Sequence, residues 1–350
     1  MRKKFIVFIG LIIWGKILFS QDALFTQYQY SPLYLNPALT GGSRNNLRIT
    51  GLTKMQWFNL YKPFKFINAA ADISFYDNDQ RNIANLGFMA NHSSKGGLNN
   101  TSISGLFSRN FVESSGFAKW YLSLGLQAGY NFSSVNPNGF VFLDQLDQNG
   151  ITGGMSQIDL FSTTTSKNYF DMSAGFVFNW TSFMIGAAVH HLNEPLTSFN
   201  GKSEDSKLPR KVTGHFSYLL ERDFFDLKPT LIVQIQGPST TMMLGVIVDF
   251  KEYPVSINLF YRNNIGLQYN NALSVGISWK LKKPTTVYSD YELDNDVNFG
   301  LSHDSEINKP GLNTTFGSLE FGVNKNIELM SSVCPDRNTV HFIYPWMFYQ

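Results

Sequence analysis

The stretch WYLSLGLQAGYNF, residues Trp120 to Phe132, decides the fold. Trp120, Leu122, Leu124, Leu126, Ala128, Tyr130 and Phe132 are apolar or aromatic, and between them stand Tyr121, Ser123, Gly125, Gln127, Gly129 and Asn131. Successive side chains of a strand point to opposite faces, so this alternation makes one greasy face and one small, polar face. It also runs longer than the roughly 5–6 residues common in soluble sheets and suits the roughly 9–11 that cross a bilayer.

The pattern recurs outward from there. Phe170, Met172, Ala174, Phe176 and Phe178 alternate with Asp171, Ser173, Gly175 and Asn179; Leu273, Val275, Ile277, Trp279 and Leu281 alternate with Ser274, Gly276, Ser278 and Lys280. A soluble sandwich would charge its polar face, but here that face is mostly Ser, Gly, Asn and Gln, as suits the inside of a barrel. Trp57, Trp120, Tyr130, Trp180, Tyr261 and Trp279 fall near segment ends, where an interfacial girdle belongs. Charged residues are 15% of the chain, against about 25% in a typical soluble protein. Aromatics also reach 15%, with 31 Phe and 16 Tyr, yet mean hydropathy is only −0.13. The fold class expected is all-β: a transmembrane, outer-membrane antiparallel β-barrel of about 14 strands.

The strands expected are 46–58, 65–76, 84–94, 99–112, 119–132, 168–180, 182–192, 210–221, 226–236, 240–250, 254–263, 271–281, 285–293 and 313–324. An N-terminus starting in the periplasm puts the connections 133–167, 193–209 and 294–312 outside and the tight ones (NWTS, RDFF, KEYP, KKPT) inside, as the long-outer, short-inner bias requires.

Before the alternation lies a targeting segment. Arg2, Lys3 and Lys4 precede an apolar run from Phe5 to Phe19 broken by Lys16, and Ser20 is a small residue before Gln21. This reads as a cleaved signal peptide, too short by about five residues for a spanning helix. Its loss takes the chain from +2 to about −2, which leaves no basic field for nucleic acid. Cys334 is the only cysteine, so no intrachain disulfide forms. The organisation expected is a signal peptide at 1–20, a periplasmic N-terminal segment at 21–45, the barrel at 46–325 and a C-terminal extension at 326–350.

No motif carries chemistry. His190 and His191 are adjacent on a strand and should face opposite ways, so they do not share a metal; His215 could neighbour His190, with no clustered carboxylate to help. Glu194, Pro195 and Ser198 read as turn chemistry. SEDSK (203–207) and DYELDNDVNFGLSHDSE (290–306) read as solvated outer loops without EF-hand spacing. No nucleophile–base–orienter set is aligned on one face, so no enzyme, cofactor or metal is expected.

The segment FTQYQYSPLYLNPALTGG (25–42) resembles the N-terminal signature of the PorP/SprF family of type IX secretion outer-membrane proteins, through Tyr28, Tyr30, Pro32, Leu33, Asn36, Pro37, Ala38 and Gly41. AAVHHLNEPLTSF (187–199) resembles the family's His-Leu-Asn-x-Pro block, with His191, Asn193 and Pro195 as the matching positions, and LPRKVTGHFSY (208–218) follows it. The likeness covers roughly residues 21–325. It implies a component of the type IX secretion and gliding machinery, located in the outer membrane. Its implied partners are outer-membrane lipid, a secreted adhesin-type substrate with a C-terminal sorting domain, and periplasmic secretion or gliding components. The motif residues are either wall-packing or partner-docking positions. The alternative from fold alone is a diffusion porin or small-solute transporter, for which the polar-face charges are few: Asp72, Arg109, Asp171, Asp249, Arg262 and Lys280.

Overall fold

Fourteen alternating segments pair edge to edge and return to their start. In the computed structural model, residues 22–42, 47–58, 63–76, 82–113, 120–136, 146–147, 150–151, 166–199, 207–265, 271–281, 297–307 and 317–327 are described. The barrel strands are β1 (Leu47–Gln56), β2 (Phe64–Tyr76), β3 (Asn82–Lys95), β4 (Leu98–Glu113), β5 (Trp120–Val135), β6 (Ser166–Trp180) and β7 (Phe183–His190). They continue as β8 (Lys211–Tyr218), β9 (Phe225–Gln236), β10 (Ser239–Phe250), β11 (Val255–Ile265), β12 (Ala272–Leu281), β13 (Val297–Glu306) and β14 (Ser318–Ile327). Each pairs antiparallel with its sequence neighbour, and β1 closes on β14 from Leu47↔Ile327 to Gln56↔Ser318. Closure removes the free sheet edge that hydrocarbon could not hydrogen-bond. Among the described residues no helix is long and apolar enough to cross a membrane.

The deciding stretch behaves as its alternation requires. Tyr121, Ser123, Gly125, Gly129 and Asn131 of β5 are buried inward, while Leu126 is 61% exposed on the outer wall. Phe88, Phe176, Leu244, Ile277 and Leu301 continue that apolar wall on other strands. Each large side chain left in water would forgo about 1.5–3 kcal/mol of burial, so an outer surface built of them is matched to lipid.

Leu47 and Ile327 lie opposite one another, so both ends of the barrel chain share one mouth, called the near mouth; the other is the far mouth. Trp120, Trp180 and Trp279 lie toward the near mouth, and Tyr130, Phe132 and Tyr261 toward the far one. Trp57 does not join the girdle: its indole Nε1 donates to Glu306 Oε1 at 2.9 Å.

The thirteenth strand is displaced from its expected place. Residues 285–293 lie outside the described residues, and β13 forms instead from Val297–Glu306, which the sequence reading had assigned to an acidic outer loop. Asn298, Gly300, Ser302 and Asp304 face inward there, with Leu301 and His303 outward. The period of two is present but carries an aspartate on the lumen face and a histidine on the outer face, and charge masked it. The connection 282–296 is consequently a long one at the near mouth, whereas 136–165 and 191–210 are at the far mouth. Arg109 is also corrected: it is exposed on the outer wall, between inward Ser108 and Asn110. The expected signal peptide, the acidic residues 203–206 and the tail beyond 327 lie outside the described residues.

Candidate functional site: a lumen closed by the N-terminal segment

Of the N-terminal segment expected at 21–45, residues 22–42 are described, and they thread the lumen. Asp22 sits at the far mouth and Gly41 at the near mouth, and of residues 25–42 only Tyr34 is less than fully buried. The path is a series of single turns: a 3-10 turn at Tyr28–Tyr30, an α turn at Pro32–Leu35 and a 3-10 turn at Pro37–Leu39. Prolines set this rhythm. Pro32 and Pro37 each open a turn, where their fixed φ and missing N–H do no harm. Asn36, preceding Pro37, is forced to extended backbone (φ −156°, ψ 123°), and its side-chain Oδ1 accepts from Ala38 N at 2.9 Å, capping the next turn. Gly41 has φ +70°, and a Cβ there would fall 1.9 Å from the Asn85 side chain.

The signature residues are brought together on the inner wall. The Tyr28 hydroxyl pairs with Thr230 Oγ1 at 3.0 Å, and its ring meets Phe260 edge-on at 5.9 Å. Tyr30 lies on Gly300 and Gly322, where a Cβ would come within 2.3 and 2.4 Å of its ring. Leu33 packs with Ala70, Met89 and Leu106. Asn36 lies against the wall at Gly175, while the space at Gly186 takes the His215 ring: Asn36 Nδ2 donates to Phe176 O at 3.0 Å and Ala187 O at 3.2 Å, and lies 3.0 Å from His215 Nε2. Ala38 presses on Gly125, where a Cβ would sit 2.2 Å from its backbone nitrogen, and Ser123 Oγ donates to Ala38 O at 2.8 Å. Gly125, Gly175, Gly300 and Gly322 thus mark where the wall admits the segment.

Two buried charge clusters clamp its backbone. Toward the far mouth, Lys54 Nζ is 2.8 Å from Glu320 and 3.3 Å from Asp304, and donates to Leu24 O at 2.9 Å. Glu320 accepts the backbone N–H groups of Thr26 at 3.0 Å and Gln27 at 2.8 Å. Asp304 accepts in addition from Thr26 Oγ1, Ser274 and Ser318, with Arg262 at 3.5 Å. Toward the near mouth, Arg48 pairs with Asp72 at 2.8 Å and donates to Leu39 O at 2.9 Å, while Asp72 accepts from Gly41 N. Charges this deep persist only when paired and hydrogen-bonded, and each clamp satisfies both conditions through the segment's own backbone. Arg48, Lys54, Asp304, Glu320 and Lys211 were missed as site residues in the sequence. All sit at inward positions of the alternation in β1, β8, β13 and β14, and a parity count of charges would have found them.

At the far mouth the strand ends at His190, and His191 turns away with φ +58°. The expected opposition of the two histidines therefore fails: both are buried, with ring centroids 6.5 Å apart. His191 Nδ1 lies 2.9 Å from Asp171 and its Nε2 2.9 Å from Asp22, whose carboxylate also takes Lys211 at 2.8 Å. Burial opposes the His191 charge, but Asp22 and Asp171 outweigh it and raise its pKa to about 9. Burial likewise opposes the Asp22 carboxylate, and Lys211 and His191 overcome that and hold it well below the usual carboxylate range. Asn193 and Pro195 make their hydrogen bonds with β6 and with the 191–210 connection. The Asn193 carboxamide donates to Phe170 O at 2.7 Å and accepts from Met172 N at 3.2 Å, finishing the edge of β6 where β7 has stopped; Pro195 O accepts from Leu208 N at 2.9 Å. Among the described residues no three His, Cys, Asp or Glu side chains gather as a metal site.

A closed up-and-down barrel with an apolar outer wall, its lumen packed by its own N-terminal segment, defines a plugged β-barrel membrane protein. The model of the family described as type IX secretion system membrane protein PorP/SprF matches residues 17–324, and the chain belongs to that family, one of structural membrane components rather than enzymes. No curated protein matches the chain. Solved structures that resemble it include the Acinetobacter baumannii outer membrane protein Omp33, at 8% identity and TM-score 0.42, covering 82% of this chain and 100% of that one. The CymD monoaromatic hydrocarbon channel aligns at 10% identity and TM-score 0.47 over 88% of this chain and 95% of that one. A mutant of Rh. blastica porin aligns at 7% identity and TM-score 0.32 over 80% and 98%.

Proposed function

We propose that the protein is an outer-membrane component of the type IX secretion and gliding machinery that works by binding, supporting the export or surface retention of large adhesin-type substrates with C-terminal sorting domains. Its near mouth faces the periplasm and meets secretion or gliding components there; its far mouth, with the long connections 136–165 and 191–210, faces outward. The signal peptide of residues 1–20 is cleaved before the segment enters the barrel. One observation carries the binding role over a diffusion role. The lumen is occupied from Asp22 to Gly41 by a segment bonded to the wall at both mouths and in the middle. A general porin needs a clear aqueous path.

The test pairs two measurements on the native protein. Purification in mild detergent followed by mass spectrometry is expected to recover a large surface protein with a C-terminal sorting domain, and planar-bilayer recording of the same preparation is expected to show no large steady current. A steady porin-like conductance together with no co-purified surface protein overturns the proposal.

A further inference from the structure

Above the first residues of the lumenal segment, the far mouth holds two adjoining cavities of about 290 and 220 Å³ that share Asp22, Ala23, Phe66, Lys95 and Lys211. The larger is walled by inward positions of β3, β4, β5 and β6 and bounded by Thr197, Phe199 and Leu208 from the 191–210 connection.

Its chemistry is unusual for a barrel mouth. The charges on its wall are largely spent on one another, since Asp22 and Asp171 are engaged by His191 and Lys211. The Lys95 ammonium lies 5.3 Å over the Phe66 ring. Beside these charges, two kinds of neutral group make up much of the wall. The carboxamides of Asn91, Asn100, Gln127 and Asn131 stand with serine hydroxyls between them, several already aligned by wall contacts: Asn91 Nδ2 donates to Ser102 at 3.1 Å and Ser133 donates to Asn100 at 3.0 Å. Tyr34, Tyr169 and Phe25 add aromatic surface among them.

Each class of ligand meets this wall differently. An anion finds Lys211 and His191 already paired with Asp22 and Asp171, and Lys95 held against the Phe66 ring. An apolar molecule would strip water from a row of carboxamides without returning a hydrogen bond. An extended peptide seeks a strand edge, and the backbone groups of β3, β4 and β5 are committed to ladders on both sides. A sugar ring suits both halves of the lining. A carboxamide offers a donor and an acceptor side by side to neighbouring hydroxyls, and aromatic rings accept the C–H faces of the ring. A volume near 290 Å³ holds about ten waters at about 30 Å³ each, which is room for one hexose of a dozen heavy atoms.

We propose that the far-mouth cavity is a binding site for a neutral saccharide unit, a hexose or an N-acetylhexosamine. The site needs only the folded barrel and stands whether or not the secretion role holds. The probes are chitobiose and maltose, titrated by calorimetry into the full-length protein in detergent, with chitohexaose and maltohexaose as a second arm. Saturable binding of a disaccharide with Kd of about 1 mM or tighter is expected. Binding of the hexasaccharide as well identifies the end of a longer glycan as the source; binding of the disaccharide alone identifies a free sugar. Gln127→Ala combined with Asn131→Ala should weaken binding about tenfold or more. Ser102→Tyr, which fills the cavity from β4, should abolish it; heat-dependent gel mobility certifies that each variant is folded. Absence of binding by all four sugars, or binding unchanged in both folded variants, overturns the assignment.

Discussion

Replacing Asn36 by alanine removes a carboxamide that donates to Phe176 O at 3.0 Å and Ala187 O at 3.2 Å and accepts from Ala38 N at 2.9 Å. Asn36 is 0% exposed, so water cannot take over these contacts without moving the segment. Each such bond contributes about 1 kcal/mol net, and orphaned buried groups cost about 1–3 kcal/mol apiece. With relaxation of the short turns, a loss of about 3 kcal/mol in how firmly the segment is seated follows. At about 1.4 kcal/mol per factor of ten, the displaced state becomes roughly a hundredfold more populated. Asn36→Asp should be worse than alanine, because a carboxylate would be pressed against two carbonyl oxygens with no hydrogen to offer. Two assays read this. Planar-bilayer recording should show rare openings in the wild type and frequent ones in Asn36→Ala. Limited chymotrypsin digestion, for which Tyr28, Tyr30 and Tyr34 supply sites, should cut within 22–42 faster in the order wild type, alanine, aspartate. If aspartate behaves as the wild type in both assays, the carboxamide does not meet those carbonyls and the account of the seating is refuted.

Glu320→Ala leaves the Lys54 ammonium without its 2.8 Å partner and frees the N–H groups of Thr26 and Gln27, so thermal stability should fall by about 3–5 kcal/mol; Glu320→Gln, which keeps an acceptor, should lose less, and equal melting of the two variants would contradict the clamp. The His191 pKa is raised from about 6.5 in the unfolded chain to about 9, so its stabilisation is full below about pH 6.5 and is lost as pH rises through about 9. Digestion near Asp22 should therefore accelerate between pH 7 and pH 10, and His191→Gln should flatten that profile. Leu126→Arg places a guanidinium on the outer wall where leucine is 61% exposed, and should lower barrel stability in lipid by about 2–4 kcal/mol while leaving the lumenal contacts intact, measurable by urea unfolding in vesicles.

The strands were legible because a barrel in lipid imposes one rule at every residue: apolar out, small or polar in. Trp120–Phe132 and Phe170–Phe178 obey it so fully that the face of each residue and the approximate strand bounds followed from the letters alone. Val297–Glu306 escaped because Asp304 stands where a small neutral residue is usual, and that aspartate is explicable only once Lys54, Arg262 and Thr26 are seen around it. The signature residues Tyr28 to Gly41 were visible as a motif, and their prolines foretold turns. Their location inside the barrel was not, because packing against the barrel wall is a set of contacts between residues that can lie hundreds of positions apart, such as Thr26 with Glu320. The turn of His191 toward Asp22 was likewise invisible, since a single left-handed residue breaks the parity on which strand reasoning depends. Local alternation, in short, is written residue by residue and fixes the wall. What fills the wall depends on long-range closure, and only the folded chain brings those groups within reach.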